Sequence, residues 1–454
     1  MAHDDDRIAS IAREFLRGEI SRRDFTRGMA ALGVSLAAVP GVVAASRAEA
    51  AADLSGKKVV IGTMDDTAVT LFQPLLEPWA KQNGVTLSWQ AFPYDSWYQK
   101  AVVDAQTGTG AYDIYILDDP WVPLFAAGGF LASLTKAGYV PDADLQPAAL
   151  DLGYWPPKKG PRVPGTPADA QPELYAMSWI GDVELLFYRN DVFTAKPTKW
   201  DEIVAMSKAK ADVSKEMYGF LASAKVGNPI VTNYAQMLWS FGGDFFDDKW
   251  NPTVNGAEGV AALDFFISLR QWMPDGIGEW TTTQCGQAFM AGKAVAAALW
   301  TNWCAPGDDP AKSAIAGKYT VGAPAGKVSN GSEIGTYIAG VSAASKNKDA
   351  AIEVMKAAVS QEVQAGYARA GGAPVRISSF SDGQAVAKNR HLPGILESLN
   401  SSRPRPRTPE WAKVESILGV HLNRAFIAKG GSKAELDAAA QEIHDYLATL
   451  QYYG

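Results

Sequence analysis

The chain is short of the residues that most often carry chemistry. Its 454 residues include 2 cysteines and 4 histidines, with no Cys/His cluster at metal-ligand spacing. It has no basic excess either: 42 Lys+Arg against 49 Asp+Glu give a net charge of −7. That balance excludes a surface built to track nucleic-acid phosphates. Beyond the first 50 residues, no segment approaches the roughly eighteen unbroken apolar residues of a membrane-spanning helix. Catalytic signatures are missing too: there is no G-x-S-x-G elbow, no H-E-x-x-H, and no G-x-G-x-x-G after a strand. Gly286 to Lys293 comes nearest to a phosphate loop. It fails because its glycines are one residue too far apart, and Ala294 stands where Ser or Thr would bind magnesium.

What the chain does have is aromatic residues, with 14 Trp, 16 Tyr and 17 Phe. Indole faces either fill cores or stack on ligands. The remaining composition, 47% hydrophobic and 20% charged, is that of an ordinary globular protein of two or three domains.

Residues 1–50 read as an address rather than as fold. Arg22-Arg23 precedes a mildly apolar stretch from Gly28 to Ala45, and Ala48-Glu49-Ala50 follows as a small-residue cleavage signal. The paired arginines resemble the twin-arginine type of export signal, which carries folded proteins. Cleavage near Ala50 and a periplasmic location are therefore expected. In that oxidising compartment Cys285 and Cys304 either form one disulfide or remain two buried thiols.

From Lys57 onward, strand and helix patterns alternate at the spacing of βαβ units. KKVVIGTM (57–64), the alternating run 85–91 and YDIYIL (112–117) read as strands, with helical stretches between them. A second α/β run starts near Leu185 and includes a strand from Ala294 to Trp300. The fold class expected is α/β, with two lobes built on mostly parallel sheets. In such sheets ligands bind beyond the carboxyl ends of strands. Three ends carry polar and aromatic side chains: Asp65 and Asp66, then Asp118 and Trp121, then Trp300, Asn302 and Trp303. Carboxylates and amides there hydrogen-bond hydroxyls, and an indole packs on the C–H face of a sugar. The competing role for Asp65 and Asp66 is to cap the next helix.

The order of motifs then becomes specific. Gly110-Ala-Tyr-Asp113 leads to Trp121 and Phe125-Ala-Ala-Gly-Gly-Phe-Leu131, and Leu185-Leu-Phe-Tyr188-Arg-Asn-Asp191 follows. Gly242-Gly243-Asp244, Ala288-Phe-Met-Ala-Gly292-Lys293, Trp303, Gly340-Val-Ser-Ala-Ala-Ser345 and Gly371-Gly-Ala-Pro374-Val-Arg376 complete it. Over residues 55–450 this order resembles the extracellular solute-binding proteins of ABC importers, the family that includes maltose-binding protein.

The resemblance implies a type II periplasmic binding protein fold whose lobes close on a ligand in the cleft between them. It implies lobe 1 over residues 51–181 plus 319–347, and lobe 2 over residues 182–318 plus 348–454. It implies a monomer without cofactor, metal or catalysis, which delivers a sugar or polyol to a membrane permease. Trp303 matches the tryptophan that stacks on a sugar ring. Trp179 and Asp182 lie at the crossing between lobes, Tyr337 in the strand returning to lobe 1, and Asp244 in a lobe 2 loop. Arg376 lies in a cleft-facing loop, as a donor to hydroxyls or to an acidic sugar. Arg403-Pro-Arg405-Pro-Arg407 reads as a solvated loop. Two other readings stay open: a polyamine or other cation held by Asp65, Asp66, Asp118 and Asp182, and glycoside hydrolysis by a pair of carboxylates.

Overall fold

The computed structural model describes residues 7, 8, 11, 14, 20–32 and 54–453. The cleavage signal at Ala48–Ala50 lies outside the described residues. Arg22–Ala31 is helical, opened by the Ser21 hydroxyl, which accepts from the Asp24 amide at 3.2 Å.

Among the described residues nine strands form the two large sheets, and Tyr154–Trp155 pairs with Glu173–Leu174 in a separate two-stranded ribbon. The first holds β1 (Lys58–Met64), β2 (Thr86–Phe92), β3 (Ile114–Asp118), β4 (Ala176–Ile180) and β9 (Tyr337–Val341). Its order is β2-β1-β3-β9-β4: β1 runs parallel to β2 and β3, and β9 runs antiparallel to β3 and β4. The second holds β5 (Glu184–Arg189), β6 (Tyr218–Leu221), β7 (Ala294–Trp300) and β8 (Tyr319–Gly322), in the order β8-β5-β7-β6. Apolar, β-branched and alanine-rich runs suit these central strands because both faces are covered. In β3 and β4 every residue is buried.

Helices cover both sheets. On the first, α1 (Tyr94–Thr107) packs against β1 and β2, α4 (Lys348–Ala358) against β9, and α5 (Gln361–Arg369) against α4. On the second, α2 (Asn228–Ser240) packs with α7 (Trp411–Ala428), α3 (Thr282–Met290) against β7, and α6 (Leu392–Ser401) against β8 and β5. α8 (Ser432–Thr449) packs along α7.

This arrangement corrects two of the expected boundaries. Tyr319–Gly322 is an edge strand of the second sheet, paired with β5 in register Tyr319↔Arg189, so it does not belong to lobe 1. Residues 348–369 pack on the first sheet rather than on lobe 2, and the chain enters lobe 2 for the last time ahead of α6. Among the described residues the lobes are joined by three passages: Gly181 to Val183, the segment between β8 and β9, and the approach to α6. Of the two alternatives left open for Cys285 and Cys304, the structure has the two buried thiols, both free. Burial pushes both thiols far up from their usual range.

Candidate ligand-binding cleft

The ends of four strands meet between the lobes. β1 ends at Asp65-Asp66, β3 at Asp118 and β7 at Trp300, while Tyr337 opens β9 directly opposite Asp118. Because β9 is antiparallel to β3, its first residue lies at the same sheet edge as the last residue of β3. The result is a cavity of about 460 Å³ bordered by residues of both lobes.

Eight of the twelve residues expected at the site border this cavity: Asp65, Asp66, Asp118, Asp182, Trp300, Asn302, Trp303 and Tyr337. Asp66 fills the capping role weighed for it and also borders the cavity. Its Oδ1 caps Thr67–Phe72 by accepting from the Ala68 amide at 2.7 Å, and its Oδ2 accepts from Asn302 Nδ2 at 3.1 Å. The second bond joins the two lobes across the cleft. Burial raises the Asp66 carboxyl above its usual range, against the hydrogen bonds from Ala68 and Asn302.

Asp182 sits on the first passage and is 3% exposed. Its Oδ1 takes the Val183 amide at 3.0 Å, the Thr301 amide at 3.0 Å and the Thr301 hydroxyl. Burial, reinforced by neighbouring Asp66, pushes its carboxyl up to about 7.

Two glycines make room for the indoles. A Cβ on Gly286, inside α3, would lie 2.3 Å from Trp303, and one on Gly335 would lie 2.6 Å from Trp300. Each ring therefore lies flush on bare backbone and borders the cavity. A glycine inside a helix costs about 1 kcal/mol relative to alanine, and at Gly286 that cost admits the Trp303 ring.

Four expected residues lie elsewhere. Trp179 is fully buried in lobe 1, stacked on Phe72 at 5.8 Å with Trp89 edge-on at 6.4 Å. Trp121 is one layer behind the cavity wall, 4.9 Å from both Tyr94 and Tyr98. Asp244 is exposed on a lobe 2 turn, where it accepts from the Phe245 amide and from Trp239 Nε1. Arg376 is held away from the cleft by Asp142 and Asp144, and its Nη1 donates to Val359 O at 2.9 Å. With Arg376 tied down there, the donor expected for an acidic sugar is gone.

The residue the sequence reading missed is Arg405. Far from being solvated, it is 2% exposed and borders the cavity. Its Nη1 and Nη2 clasp Asp118 Oδ2 and Oδ1 at 2.9 and 2.7 Å, and its Nε faces Glu333 at 3.1 Å. Asp119 and Glu415 complete the ring at 3.4 and 3.8 Å, and Arg407 pairs with Asp119 at 3.0 Å. The nearby carboxyls of Glu333 and Glu184 are both raised by burial, Glu184 to about 8, against the attraction of Arg405. Tyr94, which donates to Asp118 at 2.5 Å, and Asn228, Thr282 and Thr283 also border the cavity. The polar threonines at the start of α3 carried no motif that would single them out.

Residues 65–365 match the family model of the bacterial extracellular solute-binding proteins. The chain belongs to that family. A probable amino-acid ABC transporter periplasmic-binding protein of Sinorhizobium fredii is 25% identical over 420 residues, which is 89% of this chain and 91% of the relative. A solute-binding protein of Agrobacterium radiobacter in complex with ribitol matches with a TM-score of 0.76 at 23% identity, over 87% of this chain and 99% of its own. A maltose-bound protein of T. maritima matches with a TM-score of 0.76 at 21% identity, over 86% of this chain and all of the other. Among the described residues no helix is long and apolar enough to cross a membrane.

Proposed function

We propose that this protein is the periplasmic binding component of an ABC importer that captures a sugar or polyol between its lobes. It delivers that ligand unchanged to a membrane permease. The observation that carries the reading is the composition of the cleft: indoles on bare backbone at one wall, and carboxylates, amides and hydroxyls at the others. Indole faces pack on the C–H faces of a sugar, and each hydrogen bond from a hydroxyl to an ionised acceptor contributes about 1.5–3 kcal/mol. A volume of about 460 Å³ suits a small ligand. The ribitol and maltose complexes of the same fold support this class. Asp65, Asp66, Asp118, Asp182, Asn302, Tyr337, Trp300 and Trp303 are the contacts proposed. The ligand favours the closed form because it touches both lobes. The N-terminal segment directs export, with cleavage near Ala50.

An amino-acid ligand, as in the name of the Sinorhizobium relative, would need a cation for its α-carboxylate. Among the described residues Arg405 is the only Lys or Arg bordering the cavity, and both its Nη atoms donate to Asp118.

The test is thermal unfolding of the full chain with ribitol, mannitol, maltose, glucose, amino acids and spermidine. A ligand at 100 times its dissociation constant adds about 2.7 kcal/mol. Stabilisation confined to amino acids or to spermidine overturns the reading. Recovery of chemically altered ligand overturns the non-catalytic part of it.

A further inference from the structure

The charge around the cavity does not balance. Asp65, Asp66, Asp118 and Asp182 border it, and among the described residues Arg405 is its only Lys or Arg. Arg405 is spent on Asp118 and on the acids behind it. That leaves Asp65 at the exposed mouth, Asp66, and the deeply buried Asp182 without a cationic partner. Among the described residues no donor reaches Asp182 Oδ2, since all three of its hydrogen bonds end on Oδ1. Asp182 is 3% exposed as a whole and borders the cavity, so a donor entering the cavity would engage the oxygen that the protein leaves free.

A metal ion is a poor match, because among the described residues no group of three His, Cys, Asp or Glu is placed to hold one. An organic ammonium matches better. Its three N–H groups suit separated carboxylate oxygens, and the electron-rich faces of Trp300, Trp303 and Tyr337 attract a cation. Asn302 Oδ1 is also buried without a partner beside Asp66, and it offers a further acceptor.

Building on the sugar or polyol reading, we infer that the ligand is an aminated polyhydroxy compound, an amino sugar or amino polyol, whose ammonium group lies between Asp66 and Asp182. Its hydroxylated body then lies on Trp303 and against the threonines of α3. A plain polyamine lacks the hydroxyls that those threonines and Asn228 would meet, and a neutral sugar leaves Asp182 Oδ2 with at most one hydroxyl.

The experiment compares matched pairs by calorimetry on the full chain at pH 7. The pairs are 1-amino-1-deoxy-D-sorbitol with D-sorbitol, and D-glucosamine with D-glucose and N-acetyl-D-glucosamine; spermidine is run alongside. In at least one pair the aminated member should bind about tenfold or more tighter than its neutral partners, the worth of one charge-assisted bond. Asp182→Asn should bring the two affinities of that pair together. Its amide oxygen can still accept from Thr301 and Val183, and Asp66→Asn provides a second variant with the same expected outcome. Equal or better binding by the neutral members overturns the inference and leaves the sugar or polyol reading standing. Binding by spermidine alone overturns both. An aminated ligand that keeps its full advantage in both variants removes Asp66 and Asp182 from its recognition and overturns the inference.

Discussion

Arg376 and Arg405 look alike in the sequence, each set among prolines and small residues, yet they do opposite things. Arg376 bridges two carboxylates of its own lobe, Asp142 and Asp144, whose side chains are 53% and 26% exposed. Arg405 faces Asp118, Asp119, Glu333 and Glu415, drawn from both lobes and from the passage between them, and nearly all of this is sealed from water. The first ties a buried guanidinium to carboxylates that still reach water, so its loss strands no buried charge. The second compensates several buried charges at once, where removing one partner strands the others.

The most damaging way to probe that contrast is Arg405→Ala. It should lower stability by about 3–5 kcal/mol, measured as the fall in unfolding free energy in urea. A loss below 1 kcal/mol would show that the ring of acids does not depend on it. Trp303→Ala comes next. It should weaken ligand binding by about tenfold or more while leaving the folded signal intact, and an unchanged affinity would remove the indole from the site. Arg376→Ala should cost about 1–2 kcal/mol and leave ligand affinity within error of the parent. A loss of affinity there would restore Arg376 to the cleft.

The smallest effect expected is in pH dependence. Burial holds Glu184 protonated up to about pH 8, against about 4.5 in the unfolded chain. The folded state therefore carries the extra proton between those values, and stability falls as pH rises through the window. Arg405, Asp182 and the Gln236 amide face this carboxyl. Glu184→Gln should flatten the decline in melting temperature between pH 6 and 8 by about 2 °C. An unchanged slope would assign the decline to Asp182, Asp119 and Glu415, which burial also raises to about 7.

Asp66, Asn302 and Trp303 were legible in the sequence because the rule that located them is one-dimensional: polar and aromatic residues just past a parallel strand face the cleft. Trp179 obeys a different geometry. It lies one residue short of the end of β4, and its ring points across the sheet into Phe72 and Trp89, whereas Asp182, two residues past the strand, borders the cleft. Arg405 was illegible because nothing within several residues of it carries a negative charge. Its partners at 118, 119, 333 and 415 converge only in the folded chain. The same holds for the lobe boundary: Tyr319–Gly322 completes a sheet begun at Glu184, which a local pattern does not encode.

The place of β9 in the first sheet bears on how the chain must be made. The Ser342 hydroxyl donates to Tyr115 across 227 residues, and the whole second sheet is threaded between them. Lobe 1 cannot close its sheet until three-quarters of the chain has been synthesised, and lobe 2 waits longer for α7 and α8. Long-range pairing of this kind slows folding. A chain threaded unfolded through a membrane would have to find these partners again outside the cell. One carried across already folded would complete the search in the cytosol, where chaperones and a reducing pool protect Cys285 and Cys304 until they are sealed.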